Sequence, residues 1–279
     1  MIPLKEFAGL DRSFWAHVKL VSERLGYSER GARGTPKRLR RYSLAEIVRR
    51  FGQEALRSDH LYAGGAPTKL GRQLEGYLNV RAELLEKRIE PVLMSRAEAA
   101  KAWKRLRARQ NYKCALPMNK QKGDKAHPAY MVGIINMLTE RSLRGRGFAD
   151  DPRGLAVVTK DGRPLRTFSR WMDGAYPSIV DPYALWEIKE YYGTTTFGSR
   201  VADGVYETML DGHEFDELRL LEKRKVYHYL IVDDRFTWWD CGRSYLCRIV
   251  DMLHQGLVDE ALFGREVFTR WPAIVREWP

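Results

Sequence analysis

With 279 residues, 44% of them hydrophobic, and eight Trp and fourteen Tyr, the chain can bury a sizeable core, as one large domain or two modest ones. Its net charge of +12 is uneven: residues 1–150 carry 31 Lys+Arg against 15 Asp+Glu, and the remaining 129 carry 17 against 21. That imbalance favours a phosphate-bearing partner. No window approaches the ~18 apolar residues of a membrane span, and the start lacks the apolar stretch of a signal peptide, so a cytoplasmic protein is expected.

In chain order, residues 11–26 read as a helix, followed by a Gly- and Arg-rich linker over 28–42. Ser43 with Glu46 is a capping-box pattern, and Leu44, Ile47, Val48 and Phe51 continue it as an apolar stripe. Thr68 opens a helix whose apolar side includes Leu70, Leu74, Tyr77 and Leu78. Ser95 with Glu98 is a second capping box, starting a basic helix that reaches about Gln110. After a polar loop, Pro128 stands at the first turn of a helix carrying Met131, Ile134, Ile135 and Leu138 inward.

From there the pattern becomes mixed. Leu155 to Thr159, Asp161-Gly162 and Leu165 to Phe168 read as a hairpin with an Asp-Gly turn. Ser178 to Val180 and Ala184 to Lys189 are further extended pieces. A helix over about Ser199 to Leu210 precedes Val226 to Val232, an apolar run suited to a strand covered on both faces. Phe236 to Trp239 is expected to pair beside it, and a helix over about Ser244 to His254 closes the pattern. The order implies an α/β (α+β) chain with two parts: a helical, basic DNA-binding region over 1–127, and a core over 128–279 with a mixed central sheet flanked by helices.

Within the strand 184–189, Glu187 and Lys189 share one face while Trp186 and Ile188 share the other. Glu187-x-Lys189 is the only acid-x-Lys triplet in the chain, and Asp181 lies just upstream. Two neighbouring carboxylates suit a hard, oxygen-preferring cation such as magnesium. An ammonium beside them can orient water or stabilise charge on a phosphate. The six histidines stand singly, His228 reading as a satisfied core residue. Phosphate-binding loops, dinucleotide fingerprints and serine-nucleophile elbows are missing from the sequence. Three scattered cysteines, Cys114, Cys241 and Cys247, fit buried thiols better than disulfides or a zinc site.

This acid-then-E-x-K pattern in a central strand resembles the PD-(D/E)XK nuclease superfamily, and within it type II restriction endonucleases, over roughly residues 128–262. The resemblance implies a restriction-endonuclease-like core and magnesium-dependent hydrolysis of phosphodiesters in double-stranded DNA, leaving a 5′-phosphate. It implies that Asp181, Glu187 and the Ile188 carbonyl hold the metal and that Lys189 positions the attacking water. The family's Asp commonly lies ten or more residues upstream, whereas five separate Asp181 from Glu187. Asp173 is therefore the rival ligand, and Asp181 is preferred for its extended lead-in and the Pro182 that follows. Glu140, on the preceding helix, is a candidate additional carboxylate.

Arg40, Arg41, Lys104, Arg105, Lys120, Lys122 and Arg200 are the expected DNA contacts, the last at a helix start beside the motif. A homodimer matches two-fold symmetric sites. Because the chain carries no methyltransferase signature, protective methylation requires a separate methyltransferase. Two alternatives accompany the restriction reading: a repair or defence nuclease without sequence specificity, and a DNA-binding regulator whose nuclease-like core is inactive.

Overall fold

The computed structural model describes residues 1–29, 38–119, 126–192 and 198–279. Side-chain caps start the N-terminal helices where the sequence places them. Asp11 accepts from the Phe14 amide at the head of α1 (Arg12–Leu25), Ser43 caps α2 (Leu44–Gln53), and Thr68 caps α3 (Lys69–Leu84). Two short ribbons connect them: β1 (Ser28–Glu29) with β2 (Arg38–Leu39), and β3 (Tyr62–Ala63) with β4 (Ala66–Pro67). Phe14, Val18, Ile47, Phe51, Leu74 and Tyr77 close a core of their own.

α3 continues into a π turn over Leu85–Ile89, and there the packing changes. Leu85 and Ile89 join the core of the sheet rather than that of α1 and α2. Ser95 and Glu98 form the complete reciprocal box at the start of α4 (Arg96–Arg107). Ala99, Ala102 and Leu106 of α4 pack with α5 (Tyr130–Leu143) in the core that also holds Trp186 and Ile231. By packing, then, α4 joins α5 and the sheet.

β5 (Val157–Lys160) and β6 (Arg163–Thr167) form the expected hairpin. Asp161 and Gly162 both take positive φ, 52° and 74°, the conformation that makes Asp-Gly a hairpin turn. The central sheet comprises β7 (Gly174–Tyr176), β8 (Ala184–Lys189), β9 (Tyr227–Val232) and β10 (Glu260–Phe263), in the order β10-β9-β8-β7. β8, β9 and β10 run parallel, and β7 is antiparallel to β8. Side-chain alternation sorts the two faces. Leu230, Val232, Ala261 and Phe263 meet α6 (Ser199–Leu221) and α7 (Arg243–Gln255). Trp186, Ile188, Tyr229, Ile231 and Leu262 meet α4, α5 and α8 (Arg270–Arg276). The chain is thus α/β, a four-stranded mixed sheet flanked by helices. Among the described residues no helix is long and apolar enough to cross a membrane.

Several sequence expectations are corrected. α6 runs on to Leu221. Phe236–Cys241 is a π-helical turn rather than a strand, because the Asp234 carboxylate accepts from the Thr237 amide and hydroxyl and starts a helix there. Ser178 to Val180 forms no strand and contributes one bridge, Val180 to Val157, whereas Gly174–Tyr176, not expected as a strand, pairs with β8. Pro128 precedes the α5 cap residue Ala129, so the amides of Met131 and Val132 are capped instead by Glu190, at 3.0 Å each. Of the three free thiols only Cys247 is buried.

Candidate active site

The site is set by the pairing of β7 with β8. Gly174 stands opposite Trp186, which brings Asp173 opposite Glu187, and the Asp173 amide donates to the Trp186 carbonyl at 3.0 Å. Only glycine fits at 174, since a Cβ there would lie 2.0 Å from the Trp186 ring. The indole holds the hairpin on the α5 side, and Glu187 and Lys189 emerge on the α6 side. The carboxylate of Asp173 accepts from the Ile188 amide at 2.6 Å, so it sits at the strand end between Glu187 and Lys189.

Glu187 is 4% exposed and fully engaged. Its Oε1 accepts from the Lys189 ammonium and, at 3.1 Å, from Arg170. Its Oε2 lies 2.9 Å from the Thr208 hydroxyl of α6. Arg170 also binds Asp211 at 2.7 Å and Glu207 at 2.9 Å, and Lys189 reaches Glu207 at 3.4 Å. Gly204 lets α6 lie this close, because a Cβ there would meet the Tyr191 hydroxyl at 2.6 Å.

Electrostatics divide these carboxyls into two kinds. Burial works to raise the Glu187 carboxyl, but Lys189 and then Arg170 outweigh it and hold the group below its usual range. Burial dominates at the others. It pushes Asp173 to about 6, Glu190 to about 7 and Asp211 to about 7, with Glu187 adding to the rise at Asp211. Asp211 Oδ1 and Glu190 Oε1 are buried with no hydrogen-bond partner. A cavity of about 800 Å³ opens over the carboxyl end of β8, with Asp173, Glu187, Lys189, Glu190 and Arg170 in its wall. This is where open α/β sheets place their ligands.

The structure separates several residues that the sequence grouped. Asp181 is exposed on the far side of the β7–β8 connection. Its carboxylate accepts from the Thr159 amide and hydroxyl, at 2.7 and 2.6 Å. Glu187 alone is three residues, or roughly 10 Å of strand, past the residue that begins β8. Asp181 therefore shapes the β5 end of the connection, and Asp173 is the upstream acid whose carboxylate reaches β8, on the Ile188 amide. Glu140 is corrected too: its carboxylate accepts from the amides of Lys113 and Cys114 and fixes that loop.

Among the expected DNA contacts, Lys104 and Arg105 are exposed on α4, and Arg200 is exposed on the cavity rim at the start of α6. Arg40 is paired with Glu46, and Arg41 binds Glu86 at 2.6 Å, so both already have protein partners. Lys120 and Lys122 lie outside the described residues. His228 is buried with Nδ1 on the Leu257 carbonyl at 2.8 Å, but its Nε2 has no partner. Arg170, Glu190 and Asp211 are the site residues that the sequence reading missed.

A family described as a domain of unknown function (DUF7687) matches residues 94–278. A second, likewise described as a domain of unknown function (DUF7690), matches residues 1–88. The first covers most of the chain, which therefore belongs to that family. The gap between the matches falls where the packing passes from one core to the other. No curated protein and no solved structure matches the chain.

Proposed function

We propose that this chain is a magnesium-dependent endonuclease of the PD-(D/E)XK kind acting on double-stranded DNA, with Asp173, Glu187 and Lys189 as its catalytic set. The observation that carries this reading is the placement of Asp173 opposite Glu187 on paired strands, with Lys189 hydrogen-bonded to Glu187 on the same face.

The donor set fits a hard cation. All of its atoms are oxygens, the carboxylates of Asp173 and Glu187 and the carbonyl of Ile188. Among the described residues, Glu187, Asp173, Asp211 and Glu207 face Arg170 and Lys189, an excess of negative charge that a divalent ion would relieve. Among the described residues no group of three or more His, Cys, Asp or Glu side chains is arranged to hold a metal, so the rest of the shell falls to carbonyl, water and substrate oxygens. Bound there, magnesium supplies Lewis acidity toward the phosphate and a lowered pKa for water.

The chain's own residues do the remainder. Glu187 stays ionised at neutral pH and anchors the Lys189 ammonium, whose donors orient the attacking water and meet charge developing on the phosphate. The Ile188 amide orients Asp173. Arg170 neutralises Glu187 and Asp211, and a phosphate entering the cavity competes for the same guanidinium.

In the restriction form of this reading the enzyme works in the cytoplasm as a homodimer, beside a separate methyltransferase. A DNA-binding regulator with an inactive core is the second reading. It is favoured by one observation, that both Glu187 oxygens are engaged by Lys189, Arg170 and Thr208. Incubation of the protein with unmethylated plasmid, in magnesium and in EDTA, separates the two. Discrete fragments lost in EDTA and with Glu187→Ala support site-specific cleavage, and a smear supports a repair or defence nuclease. Intact but gel-shifted DNA moves the regulator to first place.

A further inference from the structure

Seven of the eight tryptophans are buried or half-buried, whereas Trp171 is 58% exposed, at the mouth of the cavity. An indole left in water forfeits one of the largest apolar burials a side chain can make. Its neighbours show that this exposure is imposed rather than slack. Ser169 binds Glu214 through both its amide and its hydroxyl, at 3.1 and 2.7 Å. Arg170 is clamped by Glu187 and Asp211, and Met172 is 4% exposed. With residues on both sides fixed inward, the backbone presents the Trp171 indole outward.

Its position adds chemistry to that exposure. Trp171 is two residues from Asp173, so their Cα atoms are within about 7 Å. The rim beside it carries the exposed Arg200 and Met118, and Arg153, which is paired with Asp151 at 3.1 Å. The cavity therefore has an acidic wall suited to a cation and a scissile phosphate, and a rim that joins basic groups to one exposed aromatic face. Basic groups with an exposed aromatic are the pairing that binds unstacked nucleotides: cations take the backbone and the ring takes a base. A base inside a duplex offers no free face, so it must be unpaired or extruded to reach the indole.

We propose that Trp171 stacks on a nucleobase next to the scissile phosphate, so that the preferred substrate is DNA in which that base is unpaired or easily extruded. The inference rests on the nuclease reading for what occupies the acidic wall, but its test requires no cleavage. Binding is measured by fluorescence anisotropy in EDTA, using a labelled duplex and the same duplex carrying one unpaired thymidine, with wild type, Trp171→Ala and Trp171→Phe. The expected result is about tenfold tighter binding of the bulged duplex by wild type. Trp171→Ala should abolish that preference and leave perfect-duplex affinity within about twofold, while Trp171→Phe retains most of it. Equal affinity of wild type for both duplexes, or a preference that survives Trp171→Ala, overturns the stacking role. Plasmid cleavage in magnesium is read in parallel. Cleavage with no preference overturns only the stacking role; preference without cleavage supports it and overturns the nuclease reading. A protein that binds neither duplex and leaves plasmid intact in magnesium overturns both.

Discussion

Exchanging Asp173 and Asp181 in turn tests the centre of the site, because the two variants should move stability in opposite directions and only the first should lose activity. The Asp173 carboxyl is raised from 3.8 to about 6 by burial. A raised carboxyl holds its proton more tightly folded than unfolded. The penalty for ionising it is therefore absent below pH ~4, grows as pH climbs through the window, and is complete above pH ~6. Two units correspond to about 3 kcal/mol. Asn still buries a polar amide, so Asp173→Asn recovers about 1–2 kcal/mol of this, and its amide oxygen can still accept from Ile188. At about pH 7.5, well above that window, the melting temperature in EDTA should rise by about 2–6 °C. Plasmid cleavage in magnesium should fall by at least ~10²-fold.

Asp181→Ala should instead lower stability and spare activity. It removes two hydrogen bonds to Thr159 at a position whose φ of 50° suits Asp better than Ala. The cost is about 1 kcal/mol, and cleavage should stay within about twofold of wild type. An inactive Asp181→Ala beside an active Asp173→Asn would refute the assignment, whatever the melting temperatures.

Three further outcomes are expected. Lys189→Ala should lower single-turnover cleavage by at least ~10²-fold and leave gel-shift affinity for DNA within about twofold; cutting at the wild-type rate would remove Lys189 from the mechanism. In EDTA, stability should fall as pH rises from ~4 to ~7, as Asp173 (about 6), Asp211 (about 7) and Glu190 (about 7) lose protons the fold prefers to keep. A cation must displace those protons, so the rise in melting temperature caused by magnesium should be larger at about pH 8 than at about pH 5.5; equal rises would place the ion elsewhere. Neutralising Lys104 and Arg105 together, both exposed on α4, should flatten the slope of log affinity against log salt by about 1.8 without changing thermal stability.

Which features were legible from sequence follows from how local their causes are. Asp11, Ser43, Thr68 and Ser95 act on amides three residues away, so the helix starts could be read from the chain itself. The hairpin over 157–167 needs only Asp161-Gly162. β7 is different: Gly-Ala-Tyr has no strand signature, and it pairs with β8 because Gly174 leaves room for an indole twelve residues on. Asp173 ranks behind Asp181 on sequence alone for that reason, although its fourteen-residue offset from Glu187 fits the usual spacing of the PD-(D/E)XK nucleases better than that of Asp181. Asp211 and Glu190 were missed because a charged residue on a helix or at a strand end ordinarily faces water. Only the packing of α6 and α5 against β8 turns them inward.

On the nuclease reading, the same packing implies that cation and DNA binding are coupled. Asp173, Glu187 and Glu190 line the cavity, with Asp211 and Glu207 behind them on Arg170; among the described residues Arg170 and Lys189 are the cations that meet these carboxylates, while exposed basic residues lie on α4 and the rim. Phosphate attracted to the outer surface meets repulsion at the acidic wall, where unit charges ~4 Å apart interact by up to about 4 kcal/mol at the effective dielectric of a protein surface. Magnesium reverses the sign of that field, so cation and DNA should bind with positive coupling, and linkage requires each to tighten the other by the same factor. The cleavage-deficient Lys189→Ala protein allows both sides to be measured, DNA affinity with and without magnesium and magnesium affinity with and without DNA. Equal factors of about tenfold or more would place the phosphate against Asp173 and Glu187. No coupling would mean that the basic surface alone holds the DNA and that this cavity takes another ligand.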